Sequence, residues 1–443
     1  MSQQRLFAQP TEIKITVDLV HELVLMEKQT DWDKLTEIAM DHRKKSVIRI
    51  SGPAPEYRVL LGAVVLMAVK NIDYRQAQDL ITYYVPARYL CNLMESDWNP
   101  DHVTIFEFTQ MLGKSGMEKI NALILKEAVT SKLANPKSLM SDTTAQEAMI
   151  PYPNEVGLMS RFVQIVEKEV KSAGKKFTDV KEKIKKVKDK VKGLVRCSHL
   201  FAKTKEAKKK VAKKLFHTVT EIQNQLGEAL EGMKKAKNKS QAELKRLHGI
   251  MSTLLPQIKH FIKTGFVASK KIIHLKMTEL YSITRGKLGK SVEFGIKWGV
   301  NRIQGGFISG FLIDGGKHVS DTAFCMEALR VHKALHGKAP KEYGYDRGGY
   351  STMNIKKAKQ MGVKHVGIAP KGKAHWSVSE KRQEKIKKKR VTIEGCIGVI
   401  KRRYGFNKPN VHSTEAMIRS GYRAFIGFNM MKLVRLEMEK QAA

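Results

Sequence analysis

Three acidic residues stand where their types and surroundings could support phosphate chemistry. Asp142 lies on a predicted strand in "LMSDTTAQ", Asp346 ends a predicted strand in "YGYDRGGYS", and Glu394 lies on a predicted helix in "RVTIEGCIGVIKRR". Mg²⁺ prefers oxygen ligands and takes only a few carboxylates. Two such ions about 3.5–4 Å apart can activate a nucleophile and stabilise the leaving oxygen of a phosphodiester. If the three acids converge, they would form a site of this kind.

Each acid also has an ordinary structural interpretation. Asp142 precedes two threonines and could be a turn or capping residue, and Asp346 precedes an Arg-Gly-Gly sequence that is typical of a turn. Glu394 could form a helix-surface ion pair with Arg390, four residues earlier, or with Lys401, two turns later. The residue pattern alone leaves both interpretations open.

The elements that would position these acids predict an α/β protein in three parts. Residues 1–135 have apolar residues at helical spacing, which favours either a DNA-binding helical domain or a plain helical bundle. Residues 136–159 and 276–443 alternate strands with helices, which predicts one α/β domain. Residues 160–275 repeat apolar residues in steps of three and four with lysines between them, which predicts a Lys-rich helical insertion.

The charge balance points to a polyanionic partner. The 443 residues include 81 Lys and Arg against 43 Asp and Glu, a formal net charge of +38. Such an excess favours nucleic acid as the partner. Many of these cations fall in the predicted insertion, where they could form a solvated surface, contact DNA phosphates or face a second protomer.

Other segments argue against membrane and zinc-binding functions. The apolar run at residues 59–69 is shorter than the roughly 20 residues of a membrane-spanning helix, and the N-terminus lacks the pattern of a signal peptide. The four cysteines are scattered without a C-x-x-C pair. His332 and His336 lie on a helix predicted over 320–337, and we expect them at its surface. We therefore expect a cytoplasmic protein without a membrane partner.

Four blocks of the sequence resemble successive blocks of the DDE insertion-sequence transposases. The helical N-terminal region is similar to the same family in "LLGAVVLMAVKNIDYRQAQDLITYYV" and "NPDHVTIFEFTQML". The insertion matches the family only in position and helical character. The four blocks, in chain order, are "SDTTAQEAMIPYPNEVGLMS", "RGKLGKSVEFGIKW", "VSDTAFCMEALRVHKALHGKAPKEYGYDRGGYS" and "RVTIEGCIGVIKRRYGF".

The resemblance implies an RNase H-like mixed-sheet catalytic core, interrupted by the Lys-rich insertion and preceded by the all-α domain. The catalytic, metal-binding triad of the family maps onto Asp142, Asp346 and Glu394, which would hold two Mg²⁺ ions or, alternatively, Mn²⁺. Asp314 and Asp321 are rival second acids, but the family places this acid later in the chain, after the helix. The sequence departs from the family's Asp-Arg-Gly-Tyr at this point by a second glycine.

The residues around Glu394 match the family's Tyr-Arg-Glu-Lys signature in part. Arg390 and Lys401 occupy the Arg and Lys positions, whereas Lys387 stands where the family has tyrosine. Steps of four and seven residues place Arg390, Glu394 and Lys401 on one face of a helix. We expect DNA phosphates to be bound by the cations near the triad, which are Arg347, Arg390, Lys401, Arg402 and Arg403.

The resemblance further implies a bacterial transposase that works in the cytoplasm at the nucleoid. Such an enzyme would bind double-stranded DNA at the terminal inverted repeats of its element and join the cut ends to target DNA. Coupling two ends requires a homodimer or higher oligomer in the assembled complex. Two alternatives stay open, namely an RNase H-like nuclease that cuts without joining and a non-catalytic DNA-binding derivative of a transposase.

Overall fold

The computed structural model describes residues 16–45, 56–96, 98–284, 292–313, 318–370, 372 and 375–442. These residues form fourteen α-helices and one six-stranded sheet, which confirms the predicted α/β class. None of the described helices is both long enough and apolar enough to span a bilayer.

The chain begins with helices, as the apolar spacing predicts. Helix α3 is buried on nearly all sides. Helix α4 begins with a capping box formed by Asp73 and Gln76, and Asp101 caps α6 by accepting a 2.6 Å hydrogen bond from the backbone N–H of Thr104. The helices before the first strand are α1 (Glu22–Gln29), α2 (Trp32–Lys45), α3 (Tyr57–Lys70), α4 (Tyr74–Tyr83), α5 (Val85–Leu90) and α6 (His102–Thr130).

The sheet is mixed, and its longest strands lie at its centre. β1 pairs antiparallel with β3 on one side and parallel with β5 on the other, giving the order β2-β3-β1-β5-β6, with β4 also paired to β3. β1 and β5 therefore run in the same direction, and their carboxyl ends lie at the same edge of the sheet. The strands are β1 (Asn135–Glu147), β2 (Tyr281–Thr284), β3 (Val292–Gln304), β4 (Ile308–Phe311), β5 (Glu342–Tyr345) and β6 (His365–Ile368).

Four helices between β1 and β2 form a bundle with a hydrophobic core of its own. Phe162, Leu215 and Leu247 are buried in this core, which is made of the apolar residues that repeat at helical spacing. The first helix begins at Glu155, upstream of the predicted start of the insertion at residue 160. The helices are α7 (Glu155–Glu169), α8 (Thr178–Leu200), α9 (Lys205–Leu230) and α10 (Lys239–Thr264).

The remaining helices pack on the sheet or on the N-terminal helices, and they are α11 (Asp321–His336), α12 (Thr352–Gln360), α13 (Glu380–Arg403) and α14 (Thr414–Ala442). Helix α11 begins after the N-cap Ser320 and ends at the left-handed Gly337, as its sequence predicts. The expectation that both of its histidines are exposed is wrong. His332 is buried, because α11 turns the face that carries Cys325, Ala328 and His332 toward the sheet.

Burial keeps these two histidines neutral. It lowers the pKa of His332 to about 3 and the pKa of His336 to about 4, and in each case the loss of hydration is the main cause. Nε2 of His332 is buried and has no hydrogen-bond partner in the described part of the chain.

Helix α14 joins the N-terminal helices to the sheet. Trp298 of β3 is fully buried against the rings of Tyr422 and Phe425, at centroid distances of 5.0 and 5.7 Å, and its Nε1 donates a 2.9 Å hydrogen bond to Gln146 of β1. On another face of α14, a Cβ atom at Gly427 would clash with the backbone carbonyl oxygen of a residue of α3. The two helix backbones are therefore in direct contact at this glycine.

The close approach of α3 and α14 predicts that Gly427→Ala destabilises the fold. The added methyl group would meet backbone that cannot rotate away, so we expect a loss of about 1–3 kcal/mol in the free energy of unfolding. Denaturant unfolding followed by circular dichroism measures this loss. Gly249→Ala on α10 is the control, because its Cβ would have open space among the described residues and should stabilise by up to about 1 kcal/mol. Equal effects of the two substitutions would contradict the close helix contact.

Candidate active site

Asp142 and Asp346 lie next to each other at the point where β5 ends beside β1. Met140 of β1 pairs with Gly344 of β5 in the parallel ladder. Asp142 lies two residues after Met140, and Asp346 lies two residues after Gly344. Asp142 is still within β1, whereas Asp346 follows β5 directly and caps the short 3-10 turn Arg347–Gly349. Its Oδ1 accepts a 2.9 Å hydrogen bond from the backbone N–H of Gly348. The sheet register thus brings two carboxylates together that are far apart in the sequence.

The proximity of the acids is visible in their electrostatics. The pKa of Asp142 is raised to about 6, mainly by burial and also by the negative charges of Asp346 and, more weakly, Glu394, while the Thr143 N–H and Arg390 oppose the shift. Burial and the charge of Asp321 raise the pKa of Asp346, and here too Arg390 acts in the opposite direction. The site is a set of interacting carboxylates for which Arg390 provides partial compensation.

Glu394 lies on α13, which packs against β1 and β5. Its carboxylate lies 3.7 Å from the Arg390 guanidinium, and its side chain is 57% exposed. The ion pair that the sequence allowed is therefore present, together with an electrostatic interaction with Asp142. No group of three or more Asp, Glu, His or Cys side chains in the described residues is arranged to hold a metal ion.

A further carboxylate, that of Asp321, lies beside Asp346. Asp321 begins α11, accepts a 2.9 Å hydrogen bond from Thr143 Oγ1, and pairs with Lys297 of β3 at 2.7 Å. A Cβ atom at Gly348 would lie 2.9 Å from Asp321 Oδ2 and 3.0 Å from Asp346 Oδ1, so a side chain at this position would push against both carboxylates.

The sequence presented Asp321 as a rival to Asp346, but the structure places both acids in the same cluster. Lys297 was not among the predicted site residues, although a lysine inside the apolar strand "FGIKWGV" indicates a buried partner. Asp314, the other rival, lies outside the described residues.

The predicted DNA-binding cations differ in exposure. Arg347, Arg402 and Arg403 are exposed, whereas Arg390 and Lys401 are partly buried. Lys387, which stands at the tyrosine position of the signature, lies over the ring of Trp376 at 5.5 Å from its centroid. The exposed arginines are free to approach a polyanion, while Lys387 packs on an aromatic ring.

Comparison with known proteins bears on the N-terminal helices. Residues 11–111 match the family model described as Transposase domain (DUF772). The match supports a transposase. It ends within α6 and does not include the acidic cluster. Neither the curated proteins nor the solved structures gave a match. A transposase acts on DNA, and the net charge of +38 is consistent with this partner.

The ion pair beside the cluster predicts that Lys297→Met destabilises the protein. Lys297 is 14% exposed at its side chain, and its removal would leave the Asp321 carboxylate without its cation next to Asp346. We expect a loss of about 1–3 kcal/mol in the free energy of unfolding, measured by denaturant titration. Arg330→Met is the control, because the Arg330 side chain is 73% exposed and its ion pair with Glu327 of the same helix should contribute at most about 1 kcal/mol. An equal effect of the two substitutions would show that Lys297 has no special role.

Proposed function

We propose that this protein binds the terminal inverted repeats of its own element and catalyses DNA strand cleavage and strand transfer. Asp142, Asp346 and Glu394 are the proposed catalytic residues of an RNase H-like domain that uses Mg²⁺ or Mn²⁺. The proposal rests chiefly on one observation, the placement of Asp142 and Asp346 side by side on parallel strands with Arg390 near both. The match of the N-terminal helices to a transposase domain supports it.

Two of the three proposed metal ligands, Asp142 and Asp346, lie side by side. Asp142 and Asp346 supply carboxylate oxygens, the ligands that Mg²⁺ prefers, and the pKa of both is raised mainly by burial and secondarily by neighbouring carboxylates. Glu394 would complete the set if its carboxylate left Arg390 for the two aspartates. When bound, a pair of Mg²⁺ ions would activate a water molecule or a 3′-hydroxyl and stabilise the leaving oxygen.

The remaining residues of the site would bind and orient the DNA. Arg390 pairs with Glu394 and interacts electrostatically with both aspartates, and it could pair with a phosphate oxygen once Glu394 is released from it. Arg347, Arg402 and Arg403 are exposed and would contact neighbouring phosphates, with Lys401 on the same helix. The hydrogen bond from Thr143 to Asp321 connects β1 to the start of α11. Joining two element ends would require at least a homodimer in the assembled complex.

Metal-dependent cleavage of element ends tests the catalytic proposal. Purified protein is incubated with labelled duplexes made from the DNA that flanks this gene, with and without Mg²⁺. We expect nicking and joining that fall about a thousandfold or more in Asp142→Asn, Asp346→Asn and Glu394→Gln, because the three carboxylates act as a unit. Glu384→Gln is the control, since Glu384 is an exposed acid of the same helix.

Each alternative gives a different result in the same experiment. Nicking without joining would identify a nuclease. DNA binding without any metal-dependent nicking would identify a non-catalytic derivative. Nicking that the three substitutions leave unchanged would reject the proposed catalytic residues.

We also propose that the distal end of the α8–α9 hairpin binds the DNA backbone. Between residues 189 and 214 the acids are Asp189 and Glu206, against a dense group of cations. Cations that bind DNA phosphates displace the counterions of the DNA, and this contribution to binding does not depend on the base sequence. The exposed members are Lys190, Lys192, Arg196, Lys203, Lys205, Lys208, Lys210, Lys213 and Lys214.

The salt dependence of DNA binding tests the hairpin. Replacement of Lys205, Lys208 and Lys213 by glutamine should reduce the slope of log K against log salt by about 0.9 for each lost phosphate contact. Fluorescence anisotropy with a duplex of arbitrary sequence measures this slope. The control replaces Lys234, Lys235 and Lys237, which follow the opposite end of α9. Equal slopes for the two triple variants would reject the hairpin as the contact surface.

A further inference from the structure

A cavity of about 940 Å³ lies away from the acidic cluster, where three parts of the chain meet. Its walls come from α4 and α6 of the N-terminal helices, from α10 of the helical bundle, and from α14 with the segment that precedes it. It is called the α14 cavity below. None of the proposed catalytic acids lines it, so the cavity is distinct from the acidic cluster.

Two arginines of α14, Arg419 and Arg423, line this cavity. Nε of Arg419 is buried and has no hydrogen-bond partner in the described part of the chain. Arg423 is partly buried, and burial lowers the pKa of its guanidinium, with weak opposing effects from Tyr74 and Asp73. A guanidinium removed from water without hydrogen bonds is costly. An anion in the cavity would supply the hydrogen-bond acceptor that Nε of Arg419 lacks among the described residues.

The other charged residues of the cavity leave an excess of positive charge. Lys276 and Lys408 also line it, and both are cations. Its acids are already engaged, because Asp73 accepts the backbone N–H groups at the start of α4, and Glu243 forms two 2.7 Å hydrogen bonds with Arg246. Cations therefore outnumber acids along the walls, and two of these cations, Arg419 and Arg423, belong to α14.

The cavity also has an aromatic wall. Tyr74 and Phe106 pack edge to face with a centroid distance of 5.3 Å, and Phe106 is 38% exposed. An exposed ring near guanidinium groups suits a ligand with both an anionic group and a flat apolar part. Pockets of roughly 300–1,000 Å³ are typical of sites for small ligands, and this cavity is within that range.

We propose that the α14 cavity binds a nucleotide, either free or as one unit of a nucleic-acid strand. The phosphate group lies against Arg419 and Arg423, and the base lies against Phe106. This site is independent of the proposed cleavage chemistry, because it shares no residue with the acidic cluster, and either proposal can fail without the other.

Hydrogen–deuterium exchange of the full-length protein tests the site. The probes are inorganic phosphate, deoxyadenosine monophosphate and a ten-nucleotide single strand, each measured in the wild type and in Arg423→Gln and Arg419→Gln. We expect a nucleotide probe to protect residues 405–423 in the wild type. The substitutions should weaken that binding roughly tenfold to a hundredfold, as for the loss of one charged hydrogen-bonding group. Arg423→Lys, which keeps the charge but not the planar fork, should lose less.

Arg435→Gln is the matched control, because Arg435 is an exposed arginine of the same helix outside the cavity, and its substitution should leave the protection unchanged. Protection by the mononucleotide supports a free nucleotide as ligand, and protection by the strand alone supports a nucleotide within nucleic acid. The proposal is overturned if no probe protects the wild type. It is also overturned if Arg423→Gln and Arg419→Gln are protected as strongly as the wild type. Inorganic phosphate that binds as tightly as the mononucleotide overturns the role of the base. If circular dichroism shows that Arg423→Gln is unfolded, the comparison is made with Arg419→Gln alone.

Discussion

The parallel pairing of β1 with β5 is the constraint on which the candidate active site depends. Their register places Asp142 beside Asp346, so that two carboxylates share a partly buried edge of the sheet. Neighbouring carboxylates repel each other when both are ionised, and the repulsion is stronger where water is partly excluded. The surrounding elements must supply positive charge. Arg390 of α13 does so for both aspartates, and Lys297 of β3 does so for Asp321.

The same constraint explains the local structure around the acids. The turn after β5 passes between Asp321 and Asp346, and it does so at Gly348, where a side chain would displace one carboxylate. Thr143 donates to Asp321 and so connects β1 to the start of α11. Five elements, β1, β3, β5, α11 and α13, therefore meet at one cluster, and a change in any of them would alter the spacing of the charges.

Helix α14 has a comparable role for the rest of the molecule. It packs against α3 through Gly427 and against Trp298 of β3, so the helices that match a transposase domain share a hydrophobic core with the sheet. The α14 cavity opens at this junction. A ligand bound there would contact the N-terminal helices, the helical bundle and α14 together, and would thereby stabilise their arrangement.

The sequence by itself determined the local structure, because periodicity and capping depend on near neighbours. The helices of residues 16–45 and 56–130, the strand that carries Asp142 and the helix between Ser320 and Gly337 were all predictable in this way. The tertiary structure decided which side chains meet. It buried His332, paired Lys297 with Asp321, and left the α14 arginines lining a cavity. A periodic pattern identifies an apolar face but contains no information about the surface that covers it, and these partners lie on segments remote in the chain.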